Sequence, residues 1–113
     1  MKKDPIFYLE HIISAMEAIL NFTEGIEEDA FYDNDLIQSA VIRKFEIIGE
    51  AAKRLPDDWR TTYPKIPWKQ MAGFRDVLIH DYDDLNLEII WQTIHAQLPN
   101  TVIALHKIRD SFA

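Results

Sequence analysis

Arg75 and His80 stand five residues apart in the run Arg75-Asp76-Val77-Leu78-Ile79-His80-Asp81-Tyr82, and Tyr82 follows two residues later. A permanent cation, a titratable imidazole and a phenol would fall within about two turns of a helix. Histidine gives and takes protons near neutral pH. Arginine presents a planar, always-charged fork that matches phosphate oxygens. Both parts of a metal-free phosphodiester-cleaving site therefore lie side by side. Cysteine is absent, and the acidic run from His80 to Asp84 has no fixed ligand spacing, so no metal centre is expected.

Helix geometry constrains how these groups could meet. At roughly 100° per residue, Arg75 and Tyr82 share a face, whereas Arg75 and His80 diverge by about 140°. One copy converges them only if the helix loosens at His80 or the arginine curls round it. Two copies related by a two-fold axis could place an arginine and a histidine from each chain around one cleft. Asp76, four residues before His80, would share its face. It could hold one ring nitrogen and raise the imidazole pKa, or be a plain surface carboxylate. Tyr82 reads as a second functional residue or as packing at a helix end.

The elements that must position these residues read as helices. Asp4-Pro5 is an N-cap followed by proline in the first turn, and Ile6, Leu9, Ile13, Met16 and Leu20 recur at helical steps until about Gly25. The acidic stretch from Glu27 to Asp35 reads as a loop and the start of the next helix. That second helix should run from about Asn34 to Leu55, stopped by Pro56. It carries two apolar stripes, one through Val41, Phe45 and Ile48, the other through Leu36, Ala40, Ile47 and Ala51. One core needs one stripe, so the second calls for more helices or a second copy of the chain. Gly49 costs a helix about 1 kcal/mol, which close approach of a neighbouring backbone would explain.

Residues 56–67 hold three of the five prolines and read as a linker with one short helical turn, packed down by Trp59, Tyr63 and Trp68. A third helix should begin near Pro67 and carry the motif. Asn86 should cap the fourth, which Pro99 should kink. The sum is a single domain over residues 1–113, all-α, an up-and-down four-helix bundle with a short extra helical turn. The first residues lack the long apolar stretch of a signal peptide or membrane span, and a cysteine-free chain suits the cytoplasm.

A net charge of −7 argues against nonspecific nucleic-acid binding. The charge is uneven: residues 41–75 carry 8 basic and 4 acidic side chains, while both flanks are acidic. Arg43, Lys44, Lys53, Arg54 and Lys69 form a basic zone that leads to the motif, compatible with RNA contact. A solvated surface with chance asymmetry reads equally well on charge alone.

Arg75-x4-His80-x-Tyr82, with a polar residue after the arginine, resembles the signature of the HEPN superfamily and, within it, the HepT-type toxins. The blocks Ile47-Ile48-Gly49-Glu50-Ala51-Ala52 and Ile66-Pro67-Trp68 match in the same order, so the resemblance covers nearly the whole chain. It implies an endoribonuclease toxin of a type VII-like toxin–antitoxin pair, a homodimer with its active site at the interface, and no cofactor. Arg75 and His80 would cleave RNA to a 2′,3′-cyclic phosphate and a 5′-hydroxyl. It further implies a partner nucleotidyltransferase antitoxin of the MNT type that attaches AMP to Tyr82. The alternative is a noncatalytic helical module that docks such a transferase.

Overall fold

The computed structural model describes residues 4–74, 79–81 and 84–113, with residues 79–81 and 84–85 described by their backbone alone. Helix α1 spans Pro5–Thr23, and Asp4 caps it by accepting a hydrogen bond from the Ile6 amide at 2.8 Å. The chain turns at Gly25, whose φ of +74° lies in the left-handed region that favours glycine. Helix α3 spans Asp35–Arg54, with the Asn34 side chain accepting from the Ile37 amide at 3.0 Å and Leu55 as C-cap just before Pro56. Both limits agree with the sequence reading, because both are set by local chemistry: an amide-capping side chain at one end and a proline at the other.

α1 and α3 pack along their lengths, and their facing stripes form the centre of the core. Leu9, Ile12, Met16 and Ile19 from α1, with Val41, Phe45 and Ile48 from α3, are fully buried. The second stripe of α3 is only partly covered: Ala51 is buried, Ala40 and Ile47 half-buried, and Leu36 80 % exposed. Helices α6 (Leu87–Ala96) and α7 (Leu98–Asp110) close the bundle, α7 against α1. Asn86 caps α6 as expected, accepting from the Ile89 amide at 3.1 Å. The interruption between α6 and α7 falls at Gln97, and Pro99 sits in the first turn of α7, where a missing N–H costs nothing.

Three five-residue helices complete the fold: α2 (Glu28–Tyr32), α4 (Asp58–Thr62) and α5 (Trp68–Ala72). Helix α2 replaces the expected loop. Gln38 of α3, itself buried, donates to the Phe31 and Tyr32 carbonyls at 2.9 and 3.0 Å, satisfying the carbonyl end of that short helix. Helices α4 and α5 are folded down by aromatic packing. Trp59 and Trp68 are buried edge to face, and the Trp68 indole donates to the Tyr63 carbonyl at 3.0 Å.

The expected helix through the motif does not extend to His80. Ile79–Asp81 is an extended strand, β1, paired antiparallel with β2, Asp84–Leu85. Ile79 faces Leu85 and Asp81 faces Asp84, so His80 is the extra residue of a bulge on the first strand. The fold is all-α, with this two-rung ladder as its one extended feature among the described residues.

Candidate functional site

Described residues lie on both sides of the motif. Phe74, directly before Arg75, is buried against Phe45 of α3, with ring centroids 5.0 Å apart. Met71, three residues earlier, is wholly buried. Helix α5 packs on α3 at Gly49: a Cβ there would stand 3.4 Å from the Met71 carbonyl oxygen and 3.5 Å from that of Ala72, in van der Waals contact. The close approach expected from Gly49 is what the two helices make. After the motif, Asn86 is held in the cap of α6. A consecutive Cα lies about 3.8 Å on, so Arg75 begins one peptide step from a buried anchor on α3.

Arg75, Asp76 and Tyr82 lie outside the described residues, and His80 is placed by its backbone alone. The extended backbone at Ile79–Asp81 removes the helical basis for pairing Asp76 with His80, and for the 140° divergence of Arg75 and His80. The backbone is no longer helical at His80, one of the conditions named for a single chain, while the convergence of Arg75 and His80 itself lies outside the described residues.

The five basic residues singled out by sequence separate into different places. Arg43 and Arg54 line a groove between α1 and α3 with Phe7, Tyr8 and His11, and Glu50 shares it. Lys44 lines a neighbouring hollow that also contains His11 and Ile47. Lys53 is exposed and lines neither. Lys69 lies elsewhere, in a wider groove with Arg60, Gln70 and Gly73. Among the described residues none of these five cations makes an ion pair. Arg60 escaped the sequence reading although a signal was present: from Trp59 to Arg75 there are four basic side chains and no acidic one.

The remaining histidines have structural surroundings. His95 packs on Trp91, and His106 bridges Glu17 of α1 and Arg109 of α7 at 3.2 and 2.8 Å. Among the described residues no group of three or more potential ligands could hold a metal ion, and no helix is long and apolar enough to cross a membrane.

Comparison with known proteins agrees with the family resemblance. The family profile described as "Ribonuclease HepT-like" matches residues 12–108. The protein named "Putative RNase MJ0127" of Methanocaldococcus jannaschii is 43 % identical over 95 % of this chain and 88 % of its own length. "Probable ribonuclease HepT" of Thermococcus cleftensis is 40 % identical over 96 % of this chain and 99 % of its own. A second M. jannaschii protein, "Gamma-glutamylcyclotransferase and putative RNase MJ0434", is 40 % identical over 97 % of this chain, which spans 50 % of that protein. No solved structure matches. With a profile and full-length relatives that agree, the chain belongs to the HepT-like ribonuclease family of the HEPN superfamily.

Proposed function

We propose that this protein is a metal-independent endoribonuclease toxin of a type VII-like toxin–antitoxin pair, built as one domain and acting as a homodimer. The observation that carries the reading is the Arg75-x4-His80-x-Tyr82 motif in a chain that the ribonuclease family profile matches over residues 12–108. The ribose 2′-oxygen attacks the adjacent phosphorus, and the bond to the 5′-oxygen breaks. His80 takes the 2′-hydroxyl proton or supplies the proton the leaving oxygen needs. Arg75 offsets the charge that builds on the phosphorus oxygens. The products are a 2′,3′-cyclic phosphate and a 5′-hydroxyl, so DNA is spared. Asp76, the polar residue after the arginine, is assigned to orient the imidazole by its place in the motif rather than by helical spacing, and Arg43, Lys44, Lys53, Arg54 and Lys69 are assigned to RNA phosphates at separate places on the surface.

Tyr82 is the point of control. A partner nucleotidyltransferase of the MNT type attaches AMP to its hydroxyl. The adduct sets negative charge and bulk beside Arg75 and His80, blocking RNA by repulsion and by occupancy. Co-expression tests this half of the reading. The wild type alone should arrest growth in the cytoplasm, and a transferase encoded beside it should relieve the arrest. Intact-mass analysis should then find AMP on the wild type and none on Tyr82→Phe. A harmless wild type that still binds the transferase would favour the noncatalytic docking module instead.

A further inference from the structure

A groove of about 750 Å³ is lined by Pro64, Ile66 and Pro67 and by the exposed Arg60, Lys69 and Gln70. A second groove of about 300 Å³ abuts it, sharing Pro64 and Ile66, and carries Lys65 and Lys107. Among the described residues, the linings of both grooves hold four cations and no carboxylate, in a chain of net charge −7. Chance would have placed acids there, since the chain has 19 acidic and 12 basic side chains.

One end of the larger groove is tied to the motif by covalent geometry. Gly73 lines it, and Arg75 is two residues further on. Two peptide steps span at most about 7 Å, so the Arg75 Cα lies within about that distance of the Gly73 Cα in the lining. The floor is fixed: Trp68 is buried, with its indole N–H committed to the Tyr63 carbonyl at 3.0 Å. The cations are free to turn outward. Lys65, Lys69 and Lys107 make no ion pair among the described residues, and Arg60 reaches only the exposed Asp57 at 3.4 Å.

We propose that these two grooves form a track for single-stranded RNA flanking the scissile phosphate, running from the motif past Lys69 and Arg60 to Lys65 and Lys107. The proposal rests on the ribonuclease reading of the motif. Cations along an apolar channel suit a single strand, because the backbone is held by charge while base faces lie against apolar side chains. The exposed Gln70 amide can donate to and accept from a base edge. An acidic protein surface would also meet the charge, but it has no flat apolar faces for the walls of Pro64, Ile66 and Pro67.

The probe is a fluorescent single-stranded RNA oligonucleotide with 2′-O-methyl groups and one 4-thiouridine, which binds without being cut. With wild-type protein, the fall of log affinity with log salt should flatten by roughly 0.7 for each cation removed. Lys65→Gln with Lys69→Gln should weaken binding at least tenfold, and photo-crosslinks should fall within residues 60–73 and α7. Unchanged affinity and salt slope in that variant, or crosslinks confined to other segments, would overturn the track. So would binding of poly-glutamate as tight as that of RNA, which would assign the surface to an acidic protein. Unmodified RNA separates the two readings. Expected binding without cleavage keeps the track and removes the nuclease, whereas cleavage with unaltered binding by the variant does the reverse.

Discussion

The α1–α3 pair and the stretch from Leu55 to Phe74 are stabilised in different ways. The pair consists of helices of 19 and 20 residues, each with an apolar stripe and a side-chain cap. The stretch holds two helices of 5 residues, too short to persist alone in water. Its order comes from outside each helix: tryptophan against tryptophan, an indole bond to a carbonyl, and the gap that Gly49 leaves on α3. The first region is scaffold. The second delivers the motif and carries the cationic grooves, so its placement decides where Arg75 begins.

Phe45→Ala should have the largest effect, because that ring belongs to both regions. It is wholly buried on α3 and meets Phe74 edge to face. Loss should cost about 3–5 kcal/mol in urea unfolding. Gly49→Leu should separate the regions. The α1–α3 pair should keep its helicity while α5 is pushed off, at about 1–3 kcal/mol. Gly49→Ala should be neutral or mildly stabilising, since its Cβ meets the α5 carbonyls at ordinary contact distance and alanine favours the helix by up to about 1 kcal/mol. If alanine proved as damaging as leucine, α5 would approach α3 more tightly than the 3.4 Å contact at Gly49 implies.

Trp68→Phe removes the indole bond but keeps an aromatic ring. It should cost about 1 kcal/mol, and hydrogen exchange should quicken over residues 58–72 while the amides of α1 and α3 stay protected. The smallest effect concerns α2. Tyr32 donates to Glu28, and that bond, together with nearby acidic charge, raises the phenol from 10.0 to about 12. A pKa raised on folding stabilises below the unfolded value and is lost as pH rises through the folded one. The contribution is therefore complete below pH 10 and disappears toward pH 12. An ultraviolet titration should show late ionisation of Tyr32, which Glu28→Gln brings back toward 10.0.

The same division explains what could be read in the sequence. Asp4, Asn34, Asn86 and Pro56 announced helix limits because each acts on amides or carbonyls within a few residues. Gly49 announced a contact because a helix-interior glycine needs a reason. Helix α2 was invisible, since the buried Gln38 bonds that finish it come from another element. The extended backbone at Ile79–Asp81 was equally hidden: a short apolar run before His80 fits a helix period or a strand, and the pairing of Ile79 with Leu85 and Asp81 with Asp84 makes residues 79–81 a strand. The motif was legible as chemistry. The grooves were legible only as a stretch without acids, because their walls join Pro64 and Ile66 to Pro67 and Trp68 on one side and to Ala104 and Ile108 of the distant α7 on the other.

The central claim is that Arg75 and His80 cut RNA without a metal ion. Purified wild type, Arg75→Ala and His80→Ala should each be incubated with total RNA in excess EDTA, and the new ends identified. The account predicts 2′,3′-cyclic phosphate and 5′-hydroxyl ends from the wild type alone. Cleavage that stops with EDTA, or that persists unchanged in both variants, would contradict it.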